Sequence, residues 1–374
     1  MVNQQKIMVL VSNDLSTDQR VRKMCNSLMH LGFDIELIGR FLPDSKPLSR
    51  AYETKRFKLW FNNGGLYYAN LNIRLFFYLL FAKFDRIHAN DLDTLLSAFI
   101  ISKLRNKPLV YDTHEIFTEV PEIQGRWVKK AWTTIENWIF PKLKNIITVN
   151  HSIADFYSKK YLRNDILVIR NIPEKQTALT KQSRKELGLP ENRFILIVQG
   201  TGINVDRGTE EVLLSLNYLD QILLLIIGSG GAISHLNKMT VENNLQDKVK
   251  FISRLPYEKM MQYTMNANLG ITVDKPTSLN YKYSLPNKLF DYISAGIPVL
   301  ASNLVEVARV INKYKVGFII HKVEPKIIAE AIEKFQNGSI NTAELQVNIK
   351  KASENLNWEH DAVVLETIYR SPNS

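Results

Sequence analysis

Short apolar runs of strand length alternate along the chain with longer segments whose apolar residues recur every three or four positions. Residues 6–11 predict a strand, residues 17–31 a helix with Val21, Met24, Leu28 and Leu31 on one face, and residues 34–38 a second strand. Strand, helix, strand in that order is a crossover, and a crossover forces parallel pairing. The pattern recurs, with strands at 86–89, 108–112, 145–149 and 166–169 and helices at 93–104, 129–144 and 153–161. After a polar stretch at 174–184 a second series begins, with strands at 194–199, 222–227, 249–252, 269–273, 299–301 and 317–320. Helices such as 209–216, 257–265 and 289–294 separate them. The fold class this predicts is α/β: two doubly wound, Rossmann-like domains facing each other across a cleft. The first takes residues 1–172, the second 173–355, and the hinge falls near 171–185. Ligands of such sheets sit beyond the carboxyl ends of the strands, so the residues to examine are those that follow each strand.

Composition narrows the class further. The 374 residues are 45% hydrophobic and 23% charged, which is globular and excludes a largely disordered chain. Cys25 is the single cysteine, so there is no internal disulfide framework and no cysteine cluster for zinc, and a reducing cytoplasm is expected. The first apolar run, 7–11, is too short for a secretory signal. The most apolar window, 71–84, carries Arg74 and Lys83 and falls short of the roughly 20 residues a bilayer span needs. The net charge of +11 is unevenly placed: residues 1–170 hold 25 basic and 16 acidic side chains, whereas the rest hold 23 and 21. A basic first half suits an acidic partner, be it a phosphorylated substrate, an anionic lipid or nucleic acid, or it is a surface of ordinary solvated lysines. No helix-turn-helix, zinc or RNP-like motif supports nucleic acid.

Three places after strands carry candidate chemistry. The strand ending at Gln199 is followed by Gly200-Thr201-Gly202 and then Arg207-Gly208, and the strand ending at Ile227 by Gly228-Ser229-Gly230-Gly231. Glycine lets backbone approach a phosphate and Arg207 would add a charged fork, although tight turns need glycine for steric reasons alone. The first strand ends without glycine, which demotes a nicotinamide oxidoreductase. Near residue 286 a helix opens with Lys288 in its first turn and Asp291 one turn later, placed either to neutralise a diphosphate and accept a ribose diol or to form an ordinary surface pair. His114 stands after the strand 108–112, and Asn90-Asp91 after the neighbouring strand, where the cleft is expected.

Taken together these segments resemble the GT-B glycosyltransferases of group 1 or family 4, which use nucleotide-sugar donors. The resemblance runs over nearly the whole chain. Its most specific part is Pro286-Asn287-Lys288-Leu289-Phe290-Asp291-Tyr292 followed by Gly296-Ile297-Pro298-Val299; the segments 12–21 and 110–115 are also similar to the family's first loop and Asp-x-His-Glu element. The resemblance implies His114 as the catalytic residue at the donor sugar. It implies Arg207 and Lys288 as the diphosphate clamp with Gly200, Thr201 and Asn287, and Asp291 at the ribose. It places Gly228, Arg254, Leu255 and Leu289 near the base, and Asn13, Asp18, Asn90, Asp91 and Glu115 on the acceptor side. A helix within 356–374 would cross back to the first domain. The family's two-glutamate motif is altered: Asp291 replaces the second Glu and Tyr283 stands at the first.

The function this predicts is transfer of a sugar from a nucleotide-diphosphate donor to a hydroxyl acceptor, a glycan or lipid-linked intermediate, with retention, with no metal and no further cofactor. Arg207, Lys288 and the helix N-terminus near Thr209 would stabilise the leaving diphosphate. Residues 54–86 mix Lys55, Arg56, Lys58, Arg74, Lys83 and Arg86 with ten aromatics, which suits either the interface of an anionic membrane or a helix packed with snorkelling basic tips. Other readings of the same architecture are a nucleotide-sugar 2-epimerase and a non-catalytic subunit.

Overall fold

The computed structural model of the chain describes residues 4–16, 18–43, 45–120, 123–125, 127–175, 180–205 and 207–370. Thr17, Asp206 and residues 176–179 of the expected hinge lie outside them. The chain divides into two compact units, one formed by Met1–Asn171 with Trp358–Ser374 and the other by Ile172–Asn357.

The first unit is built on a sheet of seven parallel strands: β1 (Lys6–Asp14), β2 (Asp34–Phe41), β3 (Glu53–Lys58), β4 (Arg86–Asn90), β5 (Leu109–Thr113), β6 (Asn145–Thr148) and β7 (Ile166–Val168). Their order is β3-β2-β1-β4-β5-β6-β7, so the connections reverse direction between β1 and β4. Five helices link them: α1 (Gln19–His30), α2 (Gly64–Phe81), α3 (Leu92–Arg105), α4 (Trp127–Ile139) and α5 (His151–Tyr161). α1 starts where Asp18 accepts the Val21 N–H at 3.0 Å, a side-chain cap that satisfies one orphan donor of the first turn. Its buried face, Val21, Met24, Cys25 and Leu28, packs on Ile7, Val9 and Val11 of β1 and on Trp358, Leu365, Ile368 and Tyr369 of the chain's last segment.

The second unit carries six parallel strands: β8 (Phe194–Gly200), β9 (Ile222–Gly228), β10 (Val249–Ser253), β11 (Leu269–Thr272), β12 (Val299–Ser302) and β13 (Gly317–Ile320). They lie in the order β10-β9-β8-β11-β12-β13, with the reversal between β8 and β11. Their helices are α6 (Thr209–Ser215), α7 (Ile233–Glu242), α8 (Tyr257–Asn266), α9 (Leu279–Lys282), α10 (Asn287–Ser294), α11 (Val305–Tyr314), α12 (Pro325–Gln336) and α13 (Thr342–Asn355). β8, β9, β11 and β12 are buried almost throughout, as strands covered by helices on both faces must be.

Several expectations shift in detail. β1 runs on to Asp14, so residues 12–14 belong to the strand's carboxyl end rather than to a loop. The helix expected at 129–144 ends at Ile139, because Pro141 sits in the 3-10 turn Phe140–Lys142. The single helix expected within 356–374 is two short ones, α14 (Trp358–Ala362) and α15 (Val364–Tyr369).

Candidate functional site

At the carboxyl end of the first sheet, β4 and β5 bring together Asp91, Asp112 and His114. The His114 imidazole lies with Nδ1 3.1 Å from Asp91 Oδ2 and Nε2 3.4 Å from Asp112 Oδ2, while its backbone N–H donates to Asp91 Oδ1 at 2.8 Å. Burial opposes a charge on the ring, but Asp91 and Asp112 outweigh it and hold the pKa well above the ordinary histidine value. The two carboxylates thus favour the charged form of the ring. Asp91 takes up this work at a backbone φ of 58°, and as the N-cap of α3 its side chain makes no capping bond because both oxygens are turned to His114. Behind it, Arg20 donates Nε and Nη2 to the two Asp112 oxygens at 3.1 and 2.8 Å and Nη1 to the Ile169 carbonyl at 2.8 Å. This pair is fully buried, and although burial pushes the Asp112 carboxyl up, Arg20 and His114 hold it well below its usual range. His88 Nε2 lies 3.8 Å from Asp112, and His88 Nδ1 meets the Tyr369 hydroxyl at 2.5 Å.

In the first turn of α3, Asp93 is buried, and burial together with the Asp91 charge raises its pKa to about 7. Between pH 4 and 7 the folded protein therefore binds a proton that the unfolded chain does not, so stability falls as pH rises through that window. Asp93→Asn removes the titration. The variant is expected to match the parent near pH 4 and to exceed it by about 2 kcal/mol or more at pH 8. Urea unfolding at the two pH values checks this; parallel pH profiles for both proteins would remove Asp93 from the account.

At the carboxyl end of the second sheet, Asp274 follows β11 and is buried between two cations. Arg207 Nη1 donates to Asp274 Oδ2 at 3.1 Å, Lys288 Nζ is 3.5 Å from Asp274 Oδ1, and the Arg207 guanidinium stacks on the Tyr281 ring at 4.2 Å. Gly208 makes this approach possible: at its φ of 71°, a Cβ would meet the Val273 carbonyl at 2.2 Å. Arg207 Nε is buried with no hydrogen-bond partner among the described residues. Lys288 lies in the first turn of α10, which has no acidic residue there, as an anion-receiving helix end should. The first turn of α6, which starts at Thr209, holds Glu210 and Glu211, and Glu211 pairs with Lys275 at 2.5 Å. The positive charge at this place comes from Arg207 and Lys288.

The remaining expected residues are placed as follows. Gly200 and Gly228 meet backbone to backbone: Ser229 N–H donates to the Gly200 carbonyl at 3.0 Å, and a Cβ on Gly228 would overlap that carbonyl. Loop-on-loop packing thus requires glycine at 228, whereas at 200 a Cβ would meet only Gly202 N at 4.0 Å and it is the φ of 145° that favours glycine. Asp291 accepts from Gln199 Nε2 at 3.1 Å and from the Tyr257 hydroxyl at 2.9 Å. Thr201 and Asn287 are exposed, Arg254 is exposed on the turn after β10, and Leu255 is half-buried beside it. The Leu289 side chain is wholly within the core, so it offers a ligand only backbone. In the first unit Asn13 donates to Asp18 at 3.3 Å and Glu115 is half-buried after β5. Asn90 is buried and donates its amide N–H to the Leu10 carbonyl at 2.9 Å, while its Oδ1 has no hydrogen-bond partner among the described residues. Asp274, Tyr281 and Gln199 escaped sequence reasoning; Asp274 carried a usable signal, since it directly follows a strand. Among the described residues no cluster of three or more His, Cys, Asp or Glu is placed to hold a metal ion.

A family model described as glycosyl transferases group 1 matches residues 180–356, and one described as glycosyltransferase family 4 matches residues 18–172. No curated protein matches the chain. Solved structures do. The chain is similar to sucrose-phosphate synthase from Thermosynechococcus elongatus, with a TM-score of 0.80 and 17% identity over 98% of each chain. It is similar to a glycosyltransferase from Rickettsia africae, with a TM-score of 0.76 and 14% identity over 98% of each chain. It is also similar to Anabaena HepE in complex with UDP-glucose, with a TM-score of 0.74 and 16% identity over 98% of this chain and 100% of that one.

Proposed function

Because the chain belongs to the group 1 and family 4 glycosyltransferases, whose models match one unit each, we propose that Arg207 and Lys288 bind the diphosphate of its nucleotide-sugar donor. The observation that carries this is a charge count. Among the described residues two cations share one buried carboxylate and a donor N–H of Arg207 has no partner, so these three side chains are one positive charge in excess and one hydrogen bond short. A diphosphate supplies both deficits. HepE crystallised with UDP-glucose supports a nucleoside diphosphate of this kind. Asp291, on the next turn of α10, is assigned to the ribose diol, and His114 to the transferring sugar.

The acceptor is a hydroxyl on a glycan or lipid-linked intermediate, and the outcome is retention. As the C1–O bond to the diphosphate breaks, Arg207 and Lys288 neutralise the charge gathering on the leaving oxygens. The acceptor oxygen bonds to C1 on the same face and its proton passes to the departing phosphate. No carboxylate nucleophile is assigned. The two cations carry the part a divalent ion plays in other transferases, so chelator treatment is expected to leave turnover unchanged. The epimerase and the non-catalytic subunit are not favoured by the family matches.

Lys288→Ala and Arg207→Ala are each expected to weaken UDP binding by about 1.5–3 kcal/mol, the worth of a charged hydrogen bond, or about 10- to 150-fold. Isothermal titration with UDP measures it. Unchanged affinity in both variants would take the diphosphate away from this place.

A further inference from the structure

Helix α2 has two apolar faces, and the fold uses only one. Tyr67, Leu71, Leu75 and Leu79, four residues apart, are buried against the first unit. On the outer face Leu66 is 63% exposed, Ile73 55%, Phe77 56% and Phe81 80%, where a surface helix of a globular protein is ordinarily polar. Trp60, 78% exposed, precedes the helix with the Arg74 guanidinium 5.4 Å from its ring centre. Trp127, 72% exposed, extends the patch at the same N-terminal end of α2, lying 3.6 Å from where a Gly65 Cβ would be.

The surrounding charge says what covers this face. From residue 54 to residue 84 the chain carries Lys55, Arg56, Lys58, Arg74 and Lys83 and no Asp or Glu. A second copy joined through the same patch would set these cations against themselves, since a two-fold interface pairs each surface with its own image. Spanning is ruled out for α2, because no helix among the described residues is long and apolar enough to cross a membrane. We propose that the outer face of α2 lies in the plane of an anionic bilayer. Leu66, Ile73, Phe77 and Phe81 sit at the boundary of headgroups and acyl chains, Trp60 and Trp127 at headgroup depth, and Lys55, Lys58 and Lys83 against lipid phosphates. The proposal does not depend on the donor assignment, and a protein with that assignment wrong would still bind in this way.

Co-sedimentation with vesicles of phosphatidylcholine, with and without phosphatidylglycerol, tests it. The expected result is binding to the anionic vesicles, release by raised salt, and little binding to phosphatidylcholine alone. Phe77→Ser with Phe81→Ser is expected to lower the bound fraction about tenfold or more, as is Lys55→Glu with Lys58→Glu. UDP-induced thermal stabilisation, read on the same variants, should not change, which separates this surface from the donor site. Brominated lipid should quench tryptophan fluorescence of the parent, and Trp60→Phe should remove part of that quench. Binding that both double variants retain would overturn the proposal. So would a dimer, seen by sedimentation velocity without lipid, that Phe77→Ser with Phe81→Ser dissolves.

Discussion

Replacing His114 by Ala is expected to lower turnover of donor with acceptor by about 10²- to 10³-fold and to leave UDP affinity within about twofold. The split follows from what the ring touches. His114 faces Asp91 and Asp112, both in the first unit, whereas the diphosphate groups assigned above are Arg207 and Lys288 in the second. With Asp91 3.1 Å from Nδ1 and Asp112 3.4 Å from Nε2, the imidazole's pKa is held above its ordinary value, which disfavours a base that takes up a proton near that value. On the assignment proposed above, it is a positive group beside the sugar. The pH profile separates the two roles: a base at the ordinary value would make kcat rise through about pH 6.5, whereas a permanently protonated ring gives no rise there. A rise that His114→Ala abolishes would show that the ring titrates in that range. Loss of UDP affinity with normal turnover would show that it belongs to the nucleotide.

The alternation of strands and helices was legible because strands buried on both faces are continuous apolar runs, as at Ile222–Gly228, where every residue but the last is buried. β3 was not, because an edge strand with Phe57 as its one buried residue shows no alternation. α2 was read as composition rather than as a helix for a related reason: apolar residues on two faces blur the period of 3.6. At the site, position after a strand pointed to His114, Asp91 and Arg207. It could not show that Asp274 ties Arg207 to Lys288, since that contact joins segments distant in sequence. Glu210 and Glu211 in the first turn of α6 were legible, since both directly follow Thr209.

Asp112→Ala is expected to cost about 3–5 kcal/mol of unfolding free energy, the loss that follows when one member of a buried ion pair is removed. Arg20 would keep its bond to the Ile169 carbonyl but lose both bonds to Asp112, leaving a guanidinium out of water with no counter-charge. The first unit should show it as a fall in melting temperature. The pH dependence carries the same signature. Because the Asp112 carboxyl is held well below its unfolded value of 3.8, its stabilisation is present above about pH 4 and is lost as pH falls through the lower folded value. The variant should lack that acid-induced part of the loss. Arg20→Met with Asp112→Leu tests the cause, since removing both charges spares the uncompensated ion and should recover much of the stability that Asp112→Ala loses. Recovery of stability without recovery of turnover would assign Asp112 two separable tasks, neutralising Arg20 in the core and holding the His114 ring at the end of β5. If the double variant proved as unstable as the single one, packing rather than charge would be what Asp112 supplies.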